Sequence, residues 1–167
     1  MAAYPDPDDG RTDEAELFAA YLDYFRASVA DKVAGLGEDD LHGSRVPSGW
    51  TPLGLVHHLA HMEHRWLQWG FLGLDVPEPW GDAAPDGGWL TPHASADDLL
   101  ARLHEAGAAT TRVLREHRLD AVAATGGRFH TDPPTLRRIC FHVLQEYARH
   151  VGHLDVAREL VDRTVGE

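Results

Sequence analysis

The sequence predicts an all-α protein, a four-helix bundle. Three observations carry that prediction. Apolar residues recur at three- and four-residue spacing over four separate stretches. Three of those stretches open on a capping side chain or a proline suited to a first helical turn. No segment alternates apolar and polar residues as a half-buried strand does. The second and third stretches are joined by a long link and the others by short ones. This predicts an up-down-down-up order with one crossover connection.

The first helix is expected over residues 13–36, where Leu17, Tyr21, Phe25, Val29 and Val33 recur every four positions, widened by Phe18, Leu22 and Leu36. Gly35 and Gly37 mark its end. A loop from Glu38 to Trp50 follows, with the turn signal Pro47-Ser48-Gly49-Trp50. Thr51 then caps a second helix over 52–71, with Pro52 in its first turn and Leu55, Val56, Leu59, Met62, Trp66, Leu67 and Trp69 along it. Residues 72–94 are rich in Gly and Pro, hold Trp80 and Trp89, and show no helical rhythm; a link this long inside a compact domain points to function. Ser95 and Asp98 form a capping box ahead of the third helix, 96–117. Asp132 and Pro133 open the last, 133–161, which Leu136, Ile139, Val143, Tyr147, Val151 and Leu154 carry. Residues 1–12, acidic and without periodicity, are expected to be a disordered tail, and 13–167 a single domain.

Composition narrows the function. Fifteen Lys+Arg against 27 Asp+Glu give a net charge of −12. That is the wrong sign for gripping a nucleic-acid backbone or docking on an anionic membrane. A lone cysteine, Cys140, excludes an intramolecular disulfide and fits a reducing compartment. The first ten residues lack a basic start and an apolar core, and no run reaches the roughly 18 apolar residues of a membrane span. A cytoplasmic protein is the expectation. A domain of roughly 150 residues buries about 70% of its unfolded surface, so it needs no metal merely to fold.

The histidines are many, 12 in 167, and clustered. On the last helix His142, Glu146 and His150 follow at i, i+4 spacing and stack on one face, with His153 three further on. The second helix carries His57, His58, His61, Glu63 and His64. Two facing His/Glu clusters in one bundle point to a metal site between helices, because a core carboxylate is costly unless paired or coordinated. Spacing leaves the choice open among His57, His58 and His61, and between the Glu146/His150 and His142/Glu146 pairs. His42, His93, His104, His117 and His130 read as ordinary surface, capping or core histidines.

At this point the chain resembles a family. Ser48-Gly49-Trp50-Thr51, followed by Leu55-Val56-His57-His58-Leu59-Ala60 and Glu63, is similar to the start of the second helix in the DinB-like superfamily. Val76-Pro77-Glu78-Pro79-Trp80 resembles the long loop of its branch of mycothiol-dependent maleylpyruvate isomerases and thiol S-transferases. The run from Thr135 to Arg138 and from Glu146-Tyr147-Ala148-Arg149-His150-Val151-Gly152-His153-Leu154-Asp155 to Leu160 resembles that branch's last helix. The resemblance implies a four-helix bundle with one divalent metal held by three side chains, which map onto His58, Glu146 and His150. His57, His61, His142, His153 and Arg149 are then expected around it, as pocket groups or partners of the ligands.

Three protein ligands leave an open position on the ion, the catalytic pattern. Two His and one Glu suit zinc, and nickel, manganese and iron are compatible with the same donors. A metal lowers the pKa of a thiol; with Cys140 alone inside a helix, that thiol is a cosubstrate, which the resemblance identifies with mycothiol or bacillithiol. The expected function is transfer of a low-molecular-weight thiol to a small electrophilic substrate, or thiol-assisted isomerisation. Two alternatives stand beside it: a zinc-dependent hydrolase of small molecules, and a metal- or ligand-binding protein without turnover. A homodimer is expected through an apolar patch of Trp66, Trp69 and Phe71.

Overall fold

The computed structural model describes residues 7, 10–85 and 87–165. Among them every regular element is helical: α1 (Glu14–Val33), α2 (Glu38–His42), α3 (Pro52–Glu63), a π-helical segment (His64–Phe71), α4 (Ala96–Glu116) and α5 (Leu136–Asp162). The described residues contain no strand, only two isolated antiparallel bridges, Ala83 with Trp89 and Val122 with Thr135. The expectation of a disordered tail over 1–12 falls largely outside the described residues.

Local chemistry explains most boundaries. Asp13 caps α1 by accepting from the N–H groups of Ala15 and Glu16. Thr51 accepts from Gly54 N, with Pro52 in the first turn of α3. Ser95 accepts from Asp98 N, and its hydroxyl donates back to the Asp98 carboxylate at 2.8 Å. The helix expected over 52–71 is one rod in two parts. After Glu63 the backbone widens, and Leu72 N–H bonds to Leu67 O, five residues back.

Two expectations need correction. The expected loop after residue 37 contains the short helix α2, whose Leu41 is buried. The last helix is capped by Thr135, not Asp132: the Thr135 side chain accepts from Arg138 N, while Asp132 sits at φ 53, outside helical geometry. The buried line of α1 also differs from the four-residue recurrence. It runs Phe18, Leu22, Arg26, Val29, Val33. A strict i, i+4 series drifts about 40° per step around a helix of 3.6 residues per turn, whereas this line tracks one face. Leu17, Tyr21 and Phe25 are left half-buried.

The long helices pack pairwise: α1 lies against α5 and α4, and α3 against α4 and α5. Leu22, Leu53, Leu59, Leu103, Ile139 and Leu154 fill the space between them. In the middle of this apolar core sits Glu63, fully buried. Arg26 of α1 donates to both its oxygens at 2.7 and 2.9 Å, and the hydroxyls of Thr110 (α4) and Tyr147 (α5) donate to it as well. Burial works against the Arg26 charge, but Glu63 outweighs it and holds the guanidinium above its ordinary pKa. Burial, then Glu63, pushes the Tyr147 phenol well above its ordinary pKa, so it remains a donor. Gly107 of α4 makes room for this pair. A Cβ there would lie 2.5 Å from Arg26 Nε.

Glu63→Ala is expected to destabilise the fold by about 3–5 kcal/mol in urea titrations, because it leaves a buried guanidinium with only the exposed carboxylate of Asp23 as a partner. Gly107→Ala, which forces Arg26 away from Glu63, is expected to cost about 1–3 kcal/mol in the same measurement.

Candidate metal centre

Helices α3 and α5 face each other and bring together three side chains from distant parts of the chain. Glu146 and His150 stand one turn apart on α5, with His150 Nε2 3.1 Å from Glu146 Oε2. His58 Nε2, from α3, lies 3.7 Å from the same oxygen. One donor atom from each of His58, Glu146 and His150 lies within 4.8 Å of the others. Ligands about 2.0–2.1 Å from a tetrahedral zinc ion sit roughly 3.4 Å apart, the scale of this triangle.

His58 is the informative member. It is 8% exposed, and its Nδ1–H donates to Asp82 Oδ2 at 2.7 Å. That bond fixes the tautomer and leaves Nε2 with its lone pair turned to the α5 residues. Nε2 is buried and has no hydrogen-bond partner. A buried acceptor without a donor is costly, and a cation at this point satisfies it. The donor set therefore fits a divalent ion. Asp82 is itself fixed by Arg65, whose guanidinium donates to its two oxygens at 2.6 and 3.1 Å and to Pro79 O at 2.8 Å. Trp89 covers the cluster, stacked on the His58 ring at 4.4 Å and edge-on to His150 at 4.7 Å.

The charges follow from these contacts. The hydrogen bond from His150, then neighbouring His58, holds Glu146 well below the usual carboxylate range. Burial pushes Asp82 up, but His58 and Arg65 outweigh it and keep it ionised far into acid. Burial likewise opposes the His58 charge, yet Asp82 and Glu146 raise its pKa above the ordinary value.

The other expected site residues divide. His142 touches the cluster, its Nε2 3.2 Å from Glu146 Oε1 and its ring against Trp66. His153 Nδ1 lies 3.2 Å from His150 Nδ1, and its ring stacks on Trp50. His57 faces away, hydrogen-bonding Leu90 O at 3.4 Å with its ring edge-on to His61. Burial, then His57, pushes His61 down to about 4. Both belong to the contact between α3 and the long loop. Arg149 is exposed. Position explains it: 149 is one residue before His150, about 100° around α5 from the ligand face. Nor do Trp66, Trp69 and Phe71 make one exposed patch, since Phe71 is buried in the core and Trp66 and Trp69 are half-buried.

Asp82, Arg65 and Trp89 are the site residues that spacing does not find. The signal was the long link of 72–94, which supplies Asp82 and Trp89, but no periodicity says which of its residues turn inward. A cavity of about 870 Å³ between α1, the end of α4 and Arg137 shares no residue with this cluster.

Against known proteins, a sequence model of the mycothiol S-transferase family matches residues 17–163. The chain belongs to the mycothiol S-transferase family. The match spans α1 to α5 and includes every residue of the cluster. Membership supports a thiol-transferase-like function and a small-molecule substrate. No curated protein matches the chain. No described helix is long and apolar enough to cross a membrane.

The shifted groups set a pH profile for the metal-free protein. Asp82 and Glu146 stabilise it above their unfolded pKa values of 3.8 and 4.5 and progressively less as the pH falls below them. His58 contributes below its unfolded pKa of 6.5, and that contribution fades as the pH rises through its raised folded pKa. Thermal denaturation of chelator-treated protein is expected to show the cluster's contribution greatest between about pH 5 and 6. Asp82→Asn is expected to flatten both limbs.

Proposed function

We propose that the protein transfers the thiol of mycothiol to a small electrophile, using one divalent ion held by His58, Glu146 and His150. The observation that carries the reading is the buried, partnerless Nε2 of His58 beside Glu146 and His150, in a chain of the mycothiol S-transferase family. Zinc suits two imidazoles and a carboxylate, and nickel, manganese and iron accept the same set. In this reading residues 13–167 form one domain, a four-helix bundle in up-down-down-up order with 72–94 as its crossover. When bound, such an ion supplies Lewis acidity that lowers the pKa of an approaching thiol.

The protein's own residues do the rest. Asp82, locked by Arg65, orients His58. His150 would hold the ion through Nε2, with its Nδ1–H donated to His153 Nδ1. Trp89 roofs the cluster and keeps water from that side. His142 is held by burial below its ordinary pKa and is therefore neutral near pH 7. Its Nε2–H donates to Glu146, which leaves Nδ1 to take the proton the thiol gives up. The sulfur then forms its bond to the electrophilic carbon, and the bonding pair broken there departs with the displaced group.

Glu146→Ala is expected to lose most bound metal and nearly all thiol transfer while keeping its helical circular dichroism. Full metal content in that variant rejects the ligand set. Product formed without any thiol makes the protein a hydrolase instead. Asp82→Asn is expected to weaken metal affinity about 10–100-fold, read by competition with a chromogenic chelator.

A further inference from the structure

Five arginines among the described residues are wholly or partly buried: Arg26, Arg65, Arg128, Arg137 and Arg158. Four of them are paired with a carboxylate, Arg26 with Glu63, Arg65 with Asp82, Arg137 with Glu14 and Arg158 with Asp162. Arg128 is not. In a chain with 27 acidic residues against 15 basic ones, a half-buried cation without a carboxylate is unexpected.

Arg128 is instead held by aromatic rings. Its guanidinium lies 4.2 Å over the ring of Trp66 and 5.1 Å from that of Trp80. Its backbone is pinned too. Arg128 N–H bonds Trp69 O at 3.3 Å, and Gly126 N–H bonds Phe129 O at 3.0 Å with Gly126 at φ +106. At Gly127 a Cβ would clash with Trp69 O, so only glycine lets this turn close on the π-helical segment. Burial, then neighbouring Arg65, pulls Arg128 below its ordinary pKa, consistent with a charge that no carboxylate among the described residues compensates.

The position is next to the proposed reaction centre. The Trp66 ring that supports Arg128 also packs on His142 at 4.0 Å, and His142 touches Glu146. Trp80 is 52% exposed, so the clamp opens to solvent. Arg65 shares Trp80 at 4.2 Å, but Asp82 already occupies its fork. One free, planar, pre-positioned guanidinium between two indole rings matches a carboxylate on a flat, unsaturated molecule.

We propose that Trp66, Trp80 and Arg128 form an anion subsite at the rim of the His58–Glu146–His150 cluster, which selects small electrophiles bearing a carboxylate on an unsaturated or aromatic frame. The word electrophile rests on the transferase reading; the carboxylate subsite does not. Arg128 and His142 both rest on the Trp66 ring, so a small molecule with its carboxylate on Arg128 brings its reactive carbon toward His142 and the cluster. With an aryl chloride, transfer forms the C–S bond and breaks C–Cl. Chloride leaves with the bonding pair, and the thiol proton goes to His142.

The test is calorimetric titration of the zinc-loaded protein with two unreactive probes of one shape, 4-nitrobenzoate and 4-nitrobenzamide. The carboxylate is expected to bind at least about tenfold tighter, the size of one charge-assisted pair. Arg128→Met is expected to abolish the preference, and Arg128→Lys to restore part of it, since lysine keeps the charge without the fork. No preference in the wild-type protein, or a preference that survives in Arg128→Met, overturns the proposal. Mycothiol titrated into the same variants is expected to bind equally well. If Arg128→Met weakens mycothiol and leaves nitrobenzoate unchanged, the subsite serves the thiol and the assignment falls. Turnover of 4-chloro-3-nitrobenzoate with mycothiol is read separately. Its absence, with the binding preference intact, rejects the transferase reading and leaves the subsite standing.

Discussion

One buried carboxylate connects the four long helices. Glu63, at the end of α3, accepts hydrogen bonds from Arg26 on α1, Thr110 on α4 and Tyr147 on α5. Apolar packing tolerates small slides and rotations of helices, whereas a fully buried charge does not, because each lost bond leaves an unsatisfied group in a low-dielectric interior. The network therefore sets the rotation of each helix about its axis. Tyr147 follows Glu146 directly, and Glu63 lies five residues after His58. The geometry that satisfies Glu63 in the core thus also sets the face of α5 that carries Glu146 and His150.

From that core to the cluster the polar contacts continue outward in layers. Immediately after Glu63 the backbone widens into the π-helical segment, which carries Arg65 and Trp66. Arg65 fixes Asp82, Asp82 fixes His58, and Trp66 touches both His142 and Arg128. The π-helical turns advance each residue by a smaller angle than an α-helix does, so side chains after Glu63 meet the long loop in directions that a continued α-helix would not supply. The link of 72–94 contributes no regular element, yet it provides Asp82 and Trp89 to His58 and Trp80 to both arginines. Its length is explained by this work at the mouth of the site.

The net charge of −12 looks different once the arginines are placed. Most acidic residues described lie on exposed surface, while at the cluster Arg65 pairs with Asp82, and Arg128 and Glu146 act on His142 with opposite sign. A negative protein with a locally balanced site leaves room there for an anionic ligand. Whole-chain charge alone hides that.

Helical periodicity, caps and the family resemblance were legible in the sequence because they are local: they depend on residues within a few turns of one another. Thr51 with Pro52, the Ser95–Asp98 box and the Glu146–His150 spacing all belong to this class, and the structure reproduces them. Spacing alone left His57, His58 and His61 equivalent, and only the resemblance chose His58. Tertiary structure supplied what depends on contacts across the chain. Asp82 reaches His58 across 24 residues, and Arg26 reaches Glu63 across 37. Neither pairing has a local signature, since a carboxylate in a Gly/Pro-rich loop reads as solvent-exposed and an arginine on an apolar helix face reads as an interruption. The sequence by itself determined the helices and the residue types able to bind a metal. Only packing, which makes a fully buried charge costly without a partner, decided which of them meet.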